Sequence, residues 1–124
     1  MSRKKVLLID DEDDIREVAT MTFETMADFE VIGAADGAAG VAQADAHRPD
    51  VILLDVMMPG MDGPATLGRL RELESTRAIP VIFMTAKVQA ADRRRLAALG
   101  VLGIIAKPFD PMTLPDEVLR LLGG

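Results

Sequence analysis

Five polar residues in this sequence each stand at the end of a short apolar run. Asp10 and Asp11 follow Val6-Leu7-Leu8-Ile9, and Asp55 follows Val51-Ile52-Leu53-Leu54. Thr85 follows Val81-Ile82-Phe83-Met84, and Lys107 stands just beyond Val101–Ile105. Brought together, these groups would not be inert. Two carboxylates about 4 Å apart repel by roughly 4 kcal/mol at an effective dielectric of about 20. Either their pKa values rise or a cation binds among them. Hard oxygen ligands and a small charge surplus suit Mg²⁺, with Mn²⁺ as the alternative. Three carboxylates contribute −3, the metal +2 and Lys107 +1, so the site is near neutral and can receive an anionic phosphoryl group. Asp55 is then the best nucleophile, a lone carboxylate ending a central run. Asp11 should bind the metal directly and Asp10 mainly through water. Lys107 can pair with one phosphate oxygen, and Thr85 can hydrogen-bond another. Phosphoryl transfer needs mainly positioning and charge neutralisation. A carboxylate nucleophile yields a reactive acyl phosphate.

The elements that must position these residues alternate in type. A continuous apolar run is what a strand covered on both faces requires. Strands are expected at Val6–Ile9, Phe29–Ala34, Val51–Leu54, Val81–Met84 and Val101–Ile105. Asp13 or Asp14 can cap a helix in which Ile15, Val18, Ala19, Phe23 and Met26 recur at helical spacing. Helices are expected again over Ala38–Ala46, from about Pro64 to Leu73, and over Gln89–Leu99, stopped by Gly100. Thr113 opens the last, with Asp116 completing a variant of the capping box. Five βα units in strict alternation imply an α/β domain: a doubly wound five-stranded parallel sheet of order 2-1-3-4-5 with five helices, the flavodoxin-like arrangement. In such a sheet, ligands bind beyond the carboxyl ends of the strands where the order reverses. The five polar residues gather on that rim, and the second strand, ending at Ala35-Asp36, belongs at an edge.

Bulk properties narrow the classes. The 124 residues suit a single domain over 1–124, and 49% hydrophobic content supplies a core. With no cysteine, disulfides and thiolate metal sites are excluded, which fits a cytoplasmic setting. The basic start, Ser2-Arg3-Lys4-Lys5, precedes only four apolar residues, too few for a signal-peptide core or a membrane span. A net charge of −6 disfavours nucleic acid, and stacking platforms are scarce without Trp or Tyr.

Four segments carry a resemblance: Val6-Leu7-Leu8-Ile9-Asp10-Asp11-Glu12, Asp55-Val56-Met57-Met58-Pro59-Gly60-Met61-Asp62-Gly63, Val81-Ile82-Phe83-Met84-Thr85-Ala86 and Lys107-Pro108-Phe109. In motif and interval, over essentially the whole chain, it resembles the receiver domain of bacterial two-component response regulators, and among them the stand-alone chemotaxis regulators. The resemblance implies phosphorylation of Asp55 by a histidine kinase or a histidine phosphotransfer protein. It implies a metal pocket of Asp10, Asp11 and Asp55, completed by the backbone carbonyl of Met57. Thr85 and Lys107 would be the phosphate-sensing pair, and the Lys107–Pro108 peptide would be cis, a form X–Pro bonds tolerate. It further implies a cytoplasmic, monomeric switch that catalyses its own phosphorylation and dephosphorylation rather than a turnover enzyme. Such a switch, or phosphorelay intermediate, would act through contacts with a downstream protein. A piece excised from a longer chain is the alternative to a stand-alone regulator.

One position departs from the family. An aromatic residue usually stands three places before the lysine; here that place holds Ile104. A β-branched aliphatic side chain has few rotamers and no ring to bury. A muted or rerouted response is therefore expected on the face of the fourth helix, fifth strand and fifth helix. Met57 and Lys87, two residues after Asp55 and Thr85, occupy positions that flank the path of the hydrolytic water in the family. An apolar Met57 cannot orient that water, so a long-lived phosphoryl group is expected.

The remaining polar residues read more plainly. His47 is a helix-terminal histidine favoured by the dipole. Glu12, Asp13 and Asp14 form a solvated helix start. Arg93-Arg94-Arg95 is a solvated face, with a docking patch for an acidic partner as the alternative. The eight Met residues are mostly core filler, with Met57, Met58 and Met61 set apart in the loop beside the site. Two other function classes fit worse. An aspartyl-phosphate phosphatase would need Asp-x-Asp after the first strand and a cap insertion. A flavin-binding domain would need a phosphate loop where Asp10–Asp14 repel phosphate.

Overall fold

The computed structural model describes residues 3–26, 29–86 and 89–123. Lys87 lies outside the described residues. Ten elements alternate along the chain: β1 (Lys4–Ile9), α1 (Asp13–Met26), β2 (Phe29–Ala34), α2 (Gly37–His47), β3 (Val51–Asp55), α3 (Gly63–Glu72), β4 (Val81–Thr85), α4 (Ala90–Ala97), β5 (Gly103–Ala106) and α5 (Leu114–Leu121). The sheet is parallel throughout, in the order β2-β1-β3-β4-β5. This is the expected doubly wound α/β architecture.

Successive strand residues point to opposite faces, so an unbroken apolar strand feeds two cores. Leu7, Ile9, Ile52, Leu54 and Phe83 pack on one side with Leu67 and Leu70 of α3 and Leu96 of α4. Val6, Leu8, Val51, Leu53, Ile82 and Met84 pack on the other with Ala19 and Phe23 of α1 and Leu114 and Val118 of α5. Phe23 and Phe29 meet edge to face at 4.9 Å between ring centres, which ties α1 to the edge strand β2. The register sets Leu7 beside Ile52, Asp55 beside Met84, and Thr85 beside Ala106. The carboxyl ends of β3, β4 and β5 therefore finish nearly level. Among the described residues no helix is long and apolar enough to cross a membrane.

Element ends differ from expectation in instructive places. Asp13 and Asp14 lie inside the first turn of α1 rather than ahead of it. β5 starts at Gly103, not Val101. Val101 packs against the core as coil, because an apolar side chain can be buried without joining the ladder. The Thr113–Asp116 box does not form: Thr113 is in the helical region and makes no side-chain cap. A turn at Asp110 does that work, its carbonyl accepting from the N–H of Thr113 and of Leu114 at 3.1 and 3.0 Å. α4 is shorter than expected, and Gly100, with φ +79°, sits three residues beyond its end. His47 does end α2.

Candidate functional site

Asp10 continues β1 by one residue, its N–H donating to the Ala34 carbonyl at 3.1 Å. Its side chain is fully buried. Oδ1 accepts from the Glu12 N–H at 2.9 Å, and Oδ2 has the Lys107 ammonium 2.7 Å away as its partner. Arg16 donates to the Asp10 carbonyl at 2.6 Å and also pairs with Asp13, which anchors the start of α1 to the end of β1. Asp55 is the last residue of β3 and only 3% exposed. Its Oδ1 accepts from the Met57 N–H at 3.3 Å, and its Oδ2 lies 3.5 Å from Lys107 Nζ. Asp11 is exposed, yet one oxygen from each of Asp10, Asp11 and Asp55 lies within 4.8 Å of the others. Thr85 closes β4 fully buried, and its carbonyl accepts from the Lys107 N–H at 2.9 Å. The Lys107–Pro108 peptide is cis, as expected.

The loop after Asp55 is held close to the strand. Asp62 caps α3 by accepting from the Ala65 N–H at 2.9 Å, with Pro64 in the first turn. The Gly63 N–H donates to the Val56 carbonyl at 2.9 Å. A Cβ on Gly63 would fall 2.7 Å from Val56 Cα and 2.8 Å from the Asp55 carbonyl oxygen, so only glycine permits this approach. Met57 is thereby left 56% exposed at the mouth of the site, whereas Met58 is buried in the core. This corrects the grouping of Met58 with the loop residues beside the site: the chain turns its side chain inward. Met61 is half-buried against α2 at Gly37.

Charge decides what the arrangement can do. Burial raises the Asp55 pKa to about 6, with the negative Asp10 adding to the rise; Lys107 and the Met57 N–H pull it back only in part. Burial works against the Lys107 ammonium, but Asp10, then Asp55 and Glu12, outweigh it, and its pKa lies above the ordinary lysine value. Three carboxylates and one contacting ammonium sum to −2. That surplus, on hard oxygen donors, fits a divalent cation such as Mg²⁺. Sequence reasoning placed Glu12 in a solvated helix start, and it is exposed there, but that reasoning did not foresee that its carboxylate lies 3.8 Å from Lys107. It also missed Arg16, whose helical spacing gave no sign of its reach to Asp10.

Residues 6–119 match the response regulator receiver domain. The chain belongs to this family. It is 36% identical over 117 residues to the response regulator Rre1 of Synechocystis, covering 94% of this chain and 51% of that protein. Among solved structures, the chemotaxis response regulator CheY4 of Vibrio cholerae superimposes with a TM-score of 0.89 at 33% identity, covering 97% of this chain and 99% of that one. The receiver domain of the sensor histidine kinase PA1611 from Pseudomonas aeruginosa does so at 0.86 and 28%, covering 99% and 100%. That structure has a magnesium ion coordinated in its active site cleft. The chain spans about half the length of the curated relatives it matches.

Ile104 pairs in register with Phe83, is half-buried, and lines an open depression of about 350 Å³ with Arg93, Arg94 and Ala97 of α4.

Proposed function

We propose that this receiver, a single domain over 1–124, accepts a phosphoryl group on Asp55 from a phosphohistidine of a histidine kinase or a histidine phosphotransfer protein. The observation that carries the reading is the buried Asp55 carboxylate, 3.5 Å from Lys107 and within 4.8 Å of oxygens of Asp10 and Asp11. An Asp55 oxygen forms the bond to phosphorus as the donor's P–N bond breaks and the imidazole leaves with the electron pair. With a pKa of about 6, the carboxylate is mostly ionised at neutral pH and ready to attack. Lys107 and the Thr85 hydroxyl bind oxygens of the transferred group, and Asp10 holds Lys107 in place. Asp10, Asp11, Asp55 and the Met57 carbonyl would hold Mg²⁺ or Mn²⁺, which supplies neutralisation of the charge that accumulates in transfer.

The product is an acyl phosphate that the domain itself also loses, so it works as a switch or relay rather than a turnover enzyme. Output passes through contacts of this acidic domain, a monomer in the cytoplasm, with another protein. The relatives Rre1 and CheY4 are named as response regulators, which supports the signalling role. Incubation with acetyl phosphate and Mg²⁺, followed by intact-mass measurement, tests the acceptor. Wild type should gain one phosphoryl group and Asp55→Asn none. A gain that persists in the variant overturns the assignment.

A further inference from the structure

A half-open cavity lies at the opposite pole of the sheet, with about 330 Å³ between the end of α3, the turn before β4 and the turn before β5. Val81 and Leu102, in its wall, precede the strand ends that present Thr85 and Lys107, so the two sites sit at opposite ends of the same strands. Its polar side chains are Arg71, Thr76 and Arg77; the Thr76 hydroxyl is taken up by the Leu70 carbonyl, which leaves the two arginines to face a ligand. Main-chain carbonyls orient both guanidinium groups. Arg71 Nη2 donates to the Gly100 carbonyl at 3.1 Å, and Arg77 Nε donates to the Arg71 carbonyl at 3.2 Å. Gly100 presents that carbonyl from a backbone with φ +79°, a conformation that favours glycine.

Neither guanidinium has a carboxylate partner among the described residues, although Glu72 and Glu74 are adjacent in sequence. Arg16, Arg95 and Arg120 each pair instead with an acid three residues away. Both guanidinium groups are exposed, and they stand oriented and uncompensated at one cavity of a chain of net charge −6. Each keeps free N–H groups in the planar fork that matches phosphate oxygens. The volume is at the small end of ligand pockets, about 300–1,000 Å³, and the remaining wall is apolar, with Leu67, Leu70 and Ile79.

We infer that this cavity binds a dianionic phosphate group, free or as a compact monoester, between Arg71 and Arg77. Two positive charges suit the roughly −1.5 to −2 charge of a phosphate monoester near neutral pH.

The test is amide NMR titration of the labelled chain without Mg²⁺, with inorganic phosphate in one arm and phenyl phosphate in the other. Sodium chloride at matched ionic strength is the control. Saturable shifts should centre on Thr76–Val81 and Gly100–Leu102, absent with chloride. Tighter binding of phenyl phosphate would identify an ester as the natural form; equal binding would identify phosphate itself. The double substitution Arg71→Gln and Arg77→Gln should weaken binding by at least about tenfold. The double lysine substitution, which keeps both charges without the fork, should fall between, and it carries the test if the glutamine protein does not fold. Unsaturable shifts, shifts confined to the Asp55 rim, or unchanged affinity in both double variants overturn the inference.

Discussion

At the rim, Asp10 and Asp55 are almost fully out of water, and Lys107 lies 2.7 and 3.5 Å from their carboxylates. Between α4 and β5 the groups are just as charged but differently placed. Arg93 and Arg94 are exposed, Ile104 is half-buried, and the depression beside them is open. Charges in a dry setting depend on each other, because removing one strands the others at low dielectric. Charges on a wet surface do not, because solvent replaces whatever is lost. At the rim, removing the shared cation should therefore be costly, because it leaves two buried carboxylates facing each other. Substitutions on the α4–β5 surface should cost far less.

Lys107→Ala tests this contrast most severely. It leaves Asp10 and Asp55 buried and facing each other without a cation, a loss of about 3–5 kcal/mol for a broken buried pair. Arg95→Ala breaks a 2.7 Å ion pair too, but an exposed one, worth about 1 kcal/mol at most. Urea unfolding of both variants without metal gives the comparison directly. Equal losses would erase the distinction between the two regions.

Asp55→Asn sharpens it from the opposite direction. The folded-state pKa of Asp55, about 6, lies above the unfolded value of 3.8. The folded protein therefore holds this proton more tightly, and the associated stability is complete below pH 3.8 and lost as pH rises through 6. At neutral pH the ionised, metal-free site carries a penalty on the order of 1–3 kcal/mol, at 1.36 kcal/mol per pKa unit. The asparagine variant lacks it and should be more stable than wild type at pH 7.5. The gap should narrow by pH 5 and close when Mg²⁺ binds the wild type. A variant less stable than wild type at both pH values would show that the carboxylate is not under strain.

The same rim shows what could and could not be read from the sequence. Strands closed by Asp10, Asp55 and Thr85 were legible because each is a continuous apolar run with an abrupt polar end; the run before Lys107 is interrupted by Gly103, and there the strand start was misplaced. The common rim followed from strand order alone. Side-chain reach was not legible. Nothing in the spacing says that Glu12 and Asp10 share Lys107, or that Arg16 folds back onto the Asp10 carbonyl. Local pattern also misled where a tertiary contact took over. Val101 is apolar but packs as coil, Met58 sits in the loop beside the site but faces the core, and the Asp110 turn replaced the Thr113 cap.

Ile104→Phe addresses the α4–β5 surface. The depression beside Ile104 leaves room for a ring, so the stability cost should stay below about 1.5 kcal/mol. With a beryllofluoride phosphoryl mimic and Mg²⁺, wild type should show amide shifts concentrated around Asp55 and Thr85, with small ones over α4, β5 and α5. The phenylalanine variant should show larger shifts over that face, since an aromatic side chain offers two distinct positions where isoleucine has one favoured rotamer. Broad shifts in wild type would mean that Ile104 transmits the change as well as a ring does.

The smallest expected effect belongs to Met57, at the boundary between the two regions. Its N–H serves the buried Asp55 while its side chain stands in solvent, so substitution there changes chemistry without disturbing the rim. A thioether cannot orient a water for attack on the acyl phosphate. An asparagine can, through one hydrogen bond worth about 0.5–1.5 kcal/mol. At 1.4 kcal/mol per factor of ten, Met57→Asn should lose its phosphoryl group roughly two- to tenfold faster than wild type, with unfolding free energy unchanged. Loss of label after removal of acetyl phosphate measures the rate, and urea unfolding checks the fold. An unchanged lifetime would place the limiting step elsewhere, in the dry side of the site that holds Lys107 and Thr85.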